Sequence, residues 1–122
     1  MARFISVARS NISNNSASPT AIITGATNSS GVPSSTYGVV LSILASNKNA
    51  NSQNVTVQLI KGGSTTTSLI TSGQIPSKSS LEFMEGNKLV IEPGDWIKAY
   101  STTASAIDIV VSYMLNNQDN SI

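Results

Sequence analysis

Apolar and polar residues alternate with a period of two along most of this chain, the spacing of half-buried strands and not the 3.6-residue spacing of helices. Near the start, Phe4, Ser6, Ala8 and Ser10 alternate with Ile5, Val7 and Arg9, and Ile22 and Ile23 form a short apolar piece that ends at Thr24-Gly25. This predicts two short strands within the first forty residues. The stretch between them, and Ala26 to Thr36, are rich in Asn, Ser, Thr, Gly and Pro. Such side chains bond their own backbone or turn it, so both stretches are expected to be loops. Tyr37 to Leu44 (YGVVLSIL) is an apolar run of strand length, rich in β-branched residues, and predicts a centrally buried strand. Ala45 to Gln53 (ASNKNANSQ) has no apolar periodicity and predicts an exposed loop.

The second half is more regular. Val55 to Lys61 sets Val55, Val57 and Leu59 against Thr56, Gln58 and Ile60, meets Gly62-Gly63, and resumes in Thr65 to Thr71, the pattern of a hairpin. Leu81 to Met84 leads through Glu85-Gly86-Asn87 into Lys88 to Glu92, which predicts a second hairpin. After the Pro93-Gly94 turn, Trp96, Lys98 and Tyr100 share one face of a strand and Ile97 and Ala99 the other. In Ala106 to Leu115, Ile107, Ile109, Val111 and Tyr113 share one face, and Asp108, Val110, Ser112 and Met114 the other. Ile97, Ala99, Ile107, Ile109 and Val111 are therefore expected in the core. About eight short strands, no amphipathic helix and no fixed-period repeat predict an all-β fold, a single β-sandwich over residues 1–122. Residues 1–20 are either an N-terminal arm, with Phe4, Ile5 and Val7 adding to a neighbour's sheet edge, or the edge strand of the chain's own sandwich.

Composition narrows the function classes. Charged residues are 11% of the chain, against about 25% in typical soluble domains, while 45 of the 122 residues are Ser, Thr or Asn. The surface is thus expected to consist largely of hydroxyls and amides. A net charge of +1 provides no field to gather nucleic acid or an anionic membrane, so neither is expected as a partner. With no Cys and no His, thiol catalysis, Ser-His triads and Cys/His zinc sites are excluded. Glu82-x-x-Glu85 and Glu92-x-x-Asp95 are the close carboxylate pairs. Residues three apart on a strand face opposite ways, and both pairs border turns, so neither is expected to form a hydrolase or calcium site. No cofactor, metal or catalytic residue is expected. No apolar run reaches the length of a signal-peptide core or membrane span, which predicts a soluble product. Trp96 and Tyr100, with Lys98 between them, either form a stacking platform for a sugar or cover an open side of the sandwich.

The stretch from Ser80 to Leu115 resembles a segment of small virion structural proteins of tailed bacteriophages. The resemblance rests on Gly94-Asp95, Ile97, Ala99, the Ser101 to Ser105 turn and Val110 to Tyr113, and extends over about the last half of the chain, from Val55 onward. It implies a jelly-roll-like sandwich in a virion, made in the host cytoplasm. The implied role is capsid decoration (cement), or a neck, tail or fibre-associated part, whose partners are the major capsid protein or other virion proteins. A homotrimer is expected, since the core is marginal and related proteins sit at three-fold positions. The alternative is a carbohydrate-binding sandwich using Trp96 and Tyr100.

Overall fold

The computed structural model describes residues 3–24, 32, 36–84 and 88–117. Among the described residues the period-two pattern resolves into nine strands, against about eight expected: β1 (Arg3–Arg9), β2 (Thr20–Ile23), β3 (Thr36–Asn47), β4 (Gln53–Lys61), β5 (Thr65–Ile75), β6 (Ser80–Glu82), β7 (Leu89–Ile91), β8 (Trp96–Ser101) and β9 (Ile107–Asn117). They form two antiparallel sheets. The first runs β1-β9-β3-β6, with β7 also paired to β3, and the second runs β2-β8-β4-β5. The result is an all-β, jelly-roll-like sandwich.

One core cluster joins the inner faces of the two sheets. Val7, Val40, Ile43, Ile91, Ile109, Val111 and Tyr113 contribute from the first sheet, and Ile22, Ile23, Val55, Val57, Leu59, Ile97 and Ala99 from the second. Ile97, Ala99, Ile107, Ile109 and Val111 are fully buried, as the alternation predicts. Each large aliphatic side chain buried in this way contributes roughly 1.5–3 kcal/mol. Tyr113 is the largest of the fully buried side chains, and burial pushes its phenol above the usual range despite the opposing charge of Arg3. A Cβ on Gly38 would lie 2.8 Å from Ile91 Cγ1, so any larger residue there would force the Ile91 side chain to move.

Two irregularities explain where simple alternation fails. In β3 the register against β9 shifts between Val40 and Ser42. Gly38 and Val40 point inward before this bulge and Ile43, Ala45 and Asn47 after it, which is why Tyr37 to Leu44 reads as a continuous apolar run. A similar shift between Ala21 and Ile23 lets the neighbours Ile22 and Ile23 both reach the core.

The expected loop from Ala45 to Gln53 is shorter than the sequence suggests. β3 continues through Asn47 and pairs to Ile107, and Gln53 already opens β4. The reason is Asn47, which is buried. Its amide nitrogen donates to the carbonyls of Asn51 (2.9 Å) and Ile75 (3.1 Å), and its Oδ1 accepts the Asn49 N–H (2.8 Å). A polar residue that reads as loop is thus a buried brace between the sheets.

The expected second hairpin is also corrected, because β6 and β7 do not pair with each other. Both pair with β3, β6 along Leu44–Ser46 and β7 along Gly38–Val40. In the gap, Phe83 N–H donates to the Ile43 carbonyl (2.9 Å). The Glu82 carboxylate accepts the N–H groups of Ile43 (2.8 Å) and Met84 (3.1 Å). A side chain therefore completes the ladder where backbone does not. The turn at 85–87 and most of the expected 26–36 loop lie outside the described residues.

The Gly62-Gly63 hairpin forms as expected, with φ of 58° and 79° at the two glycines. It joins β4 to β5, which runs on to Ile75, past the expected end at Thr71.

Candidate functional site

Because inner and outer positions alternate, each sheet carries a second face that the core does not use, and the two outer faces differ. On the first sheet the register aligns Phe4 with Met114, Met114 with Val39, and Val39 with Val90. This makes one apolar row across four strands, about 14 Å wide at the usual strand spacing. A row of serines follows (Ser6, Ser112, Ser42), and then Ala8, Val110 and Leu44. Among the described residues the exposed large hydrophobics are Phe4 (73%), Val90 (54%), Leu44 and Leu81 (38% each), and all four lie on this sheet. A groove of about 240 Å³ runs beside the β3 bulge, lined by Phe4, Ser6, Leu41 and Ser112 among others. Glu82, at the margin of this face, directs its carboxylate to backbone N–H groups.

The outer face of the second sheet is polar. Lys98 stands between Ala21 and Gln58, Gln58 is paired with Ser68, and Trp96 is flanked by Ile60. The Lys98 ammonium lies 4.8 Å from the centre of the Trp96 ring, a cation–π contact that occupies a face of the indole. Trp96 and Tyr100 share this face, as the alternation predicts, but they are about 13 Å apart along β8 and form no continuous bare platform. Tyr100 instead borders a cleft of about 260 Å³ at the end of the sheet, with Asn14 and Ser16 from the β1–β2 loop, Asn54 and Thr56 from β4, and Thr102 beyond β8.

The three apolar residues singled out in the first strand are divided by the pleat. Phe4 projects from the outer face, whereas Val7 is buried and Ile5 packs against the core. β1 itself pairs along its whole length with β9, from Arg3 opposite Leu115 to Arg9 opposite Ile109.

Two charged clusters stand at the ends of the sandwich. Asp95 is 2% exposed and ties two turns together. Its carboxylate accepts the Lys61 ammonium (2.7 Å), the Gly62 N–H (2.9 Å) and the Glu92 N–H (2.9 Å). Lys61 also reaches Glu92 (2.7 Å). Burial pushes the Asp95 carboxyl up, but the Lys61 ammonium and the two backbone donors outweigh it and hold it below the usual range. The hydrogen bonds to Asp95 and Glu92 raise Lys61 in turn. At the other end, Asp108 accepts the Asn11 N–H (2.9 Å) and pairs with Lys48 (3.0 Å). Burial opposes and these partners favour its charged form, with a net lowering. The Glu92-x-x-Asp95 spacing marks a turn, as expected. What the sequence does not show is Lys61, thirty-one residues before Glu92, closing the clasp from the other hairpin. Among the described residues no group of three or more His, Cys, Asp or Glu is placed to hold a metal ion, and no helix is long and apolar enough to cross a membrane.

No family model matches the chain, and no curated protein matches it in sequence. Solved structures match its fold. One is from the disulfide-linked pili of Bacillus endospore appendages, at 13% identity and a TM-score of 0.54, covering 95% of this chain and 88% of that one. Two are viral: the T13 particle of infectious bursal disease virus, at 10% identity and a TM-score of 0.48 over 93% of this chain, and the Gx strain of the same virus, at 8% and 0.46 over 98%. This chain spans only 30% and 33% of those viral chains. At such identities the likeness is one of fold, and it is the pilus protein that carries it. Having no cysteine, the present chain has no disulfide with which to link its copies.

Proposed function

We propose that this chain is a structural subunit of an assembled particle, and more narrowly a decoration (cement) protein on the capsid of a tailed phage. The observation that supports this reading is the apolar row on the outer face of the β1-β9-β3-β7 sheet, Phe4, Met114, Val39 and Val90. A monomer that leaves Phe4 and Val90 more than half exposed beside Met114 and Val39 keeps an apolar patch in water, and such patches mark interaction sites. The occupant is a shell protein offering an apolar surface without charge, since the ions at the margins of this face, Glu82 and the Asp108–Lys48 pair, are already bonded within the chain and would not compensate a buried charge on the partner. Strand spacing and rise give the face an area of about 400 Å². One copy then buries about 800 Å² in total, below the ~1,200 Å² of stable complexes. Lasting attachment therefore calls for several linked copies that dock together, which fits the trimer expected at three-fold positions and gains from avidity. The activity in this reading is binding, without turnover, cofactor or metal.

Mass spectrometry of purified virions tests it. A copy number comparable to that of the major capsid protein is expected. A few copies per particle would move the protein to the neck, tail or fibres, and absence from the particle would overturn the reading.

A further inference from the structure

We propose that the cleft beside Tyr100 is a subsite for a neutral saccharide, about one sugar ring in size. The inference concerns the polar sheet, and stands whether or not the opposite face docks on a capsid.

The loop that walls the cleft divides its side chains by alternation. Ser13 and Asn15 are used internally: Ser13 Oγ accepts the Asn15 N–H (2.9 Å), and Asn15 Oδ1 accepts the Ala17 N–H (2.9 Å). The loop is fixed to β8 by Ser101 N–H donating to the Ser13 carbonyl (2.9 Å). Asn14 and Ser16, the intervening residues, face the cleft instead. Across from them, Asn54 is anchored through its backbone, its N–H donating to Thr102 Oγ1 (3.1 Å) and its carbonyl accepting the Thr102 N–H (3.0 Å). The amides of Asn14 and Asn54 and the hydroxyls of Ser16 and Tyr100 bond to no other described residue. A rigid backbone thus presents two free amides and two free hydroxyls around a half-buried aromatic ring.

The chemistry of the lining selects the ligand. No charged residue lines the cleft, so a phosphate or carboxylate would find no counter-charge. An apolar ligand would strip water from the two amides and return no hydrogen bond. A sugar ring meets both demands, because its hydroxyls match amides and hydroxyls while its C–H face lies on Tyr100. At about 260 Å³ the cleft is below the ~300 Å³ lower limit for drug-sized ligands, which suits a single ring. Trp96 is outside the subsite, with Lys98 over its indole.

The test uses the full chain, labelled with nitrogen-15, titrated with neutral hexoses, their methyl glycosides and N-acetylhexosamines, with glucuronate and inorganic phosphate as charged comparisons. Saturable amide shifts are expected at Asn14, Asn54, Ser101 and Thr102 in the millimolar range for at least one neutral sugar. Tyr100→Ala should weaken that binding about ten-fold and Asn54→Ala several-fold, while Ser68→Ala, on the same sheet outside the cleft, leaves it unchanged. Since Asn14 and Ser16 are exposed and unpaired, Asn14→Ala/Ser16→Ala serves as a second test should Tyr100→Ala lower the melting temperature. Absence of saturable shifts with every neutral sugar overturns the proposal. So does a charged compound binding more tightly than all of them, a shift pattern centred on Trp96 and Lys98, or affinity that survives both sets of cleft variants.

Discussion

The two sheets share one core but turn different surfaces to the outside. The β1-β9-β3 sheet shows Phe4, Met114, Val39 and Val90 in a row, broken only by serines before the next apolar row. The β2-β8-β4-β5 sheet shows Lys98, Gln58 and Ser68 in a row, with its aromatic rings partly covered. Core packing does not require this difference, because either outer face would tolerate hydroxyls and amides. A sandwich needs two apolar faces, and this one has a third. In the proposed reading the extra face is the one that associates, and the polar one stays compatible with solvent, as a subunit with one side on a particle and one side in water requires.

The largest expected effect contrasts the charged clasps at the two ends of the sandwich. Asp95 is buried and accepts three hydrogen bonds, so Asp95→Ala leaves the Gly62 and Glu92 N–H groups without their acceptor and should cost about 3 kcal/mol. Asp108 and Lys48 have side chains 36% and 44% exposed, where water and salt screen the pair, so Asp108→Ala should cost about 1 kcal/mol or less. Urea unfolding of both variants measures the difference, and equal losses would mean that burial does not distinguish the two ends. The pH dependence follows from the same groups. Both aspartates have folded pKa values below their unfolded ones, so their contribution is complete above about pH 4 and is lost as pH falls through the lower folded values. Lys61 is raised, so its contribution is complete below about pH 10 and is lost as pH rises through its folded value. Stability should be flat between these limits, and the acid loss should be smaller in Asp95→Ala than in the parent chain.

The inner faces should respond alike. Val111→Ala in the first sheet and Val57→Ala in the second each remove two methyl groups from a fully buried site, at about 2 kcal/mol apiece with the cavity included. Ser112→Ala, next to Val111 but on the outer face, should change stability by less than about 0.5 kcal/mol. Thermal melts in the reverse order would shift the last strand by one residue.

How much of this was legible in the sequence depends on whether the pattern is local. β8 and β9 follow strict alternation, and their inward residues are those the sequence names. β3 does not, because its bulge changes which parity faces inward, and one chain alone cannot show which partner strand requires the extra residue. Asn47 and Glu82 are missed for a related reason: each polar side chain completes the hydrogen bonding of backbone far along the chain, at Ile75 and at Ile43. The apolar outer face was legible only in pieces. Phe4 stands out as a candidate contact, but its row with Met114, Val39 and Val90 exists only once β1, β9, β3 and β7 are in register. The cleft at Tyr100 likewise needs the β1–β2 loop brought against the ends of β4 and β8, contacts more than thirty residues apart in sequence. In the sequence Trp96 and Tyr100 look equivalent because they share a face, and the position of Lys98 is what separates them.

The smallest expected effect on stability is the sharpest on the comparison between the faces. Val90→Lys on the apolar face and Ser68→Lys on the polar face each place one ammonium on an exposed strand position, so each should shift unfolding by no more than about 0.5 kcal/mol. Their effects on assembly should differ. Val90→Lys puts a charge at the β7 end of the apolar row proposed to meet the shell, where burial without a counter-ion is costly, and co-sedimentation with particles lacking the protein should fall at least about ten-fold. Lys at 68 joins a surface that already carries Lys98 and should leave co-sedimentation as it was. Loss in both variants would place docking on charge balance and not on one face, and loss in Ser68→Lys alone would reverse the assignment of the two faces.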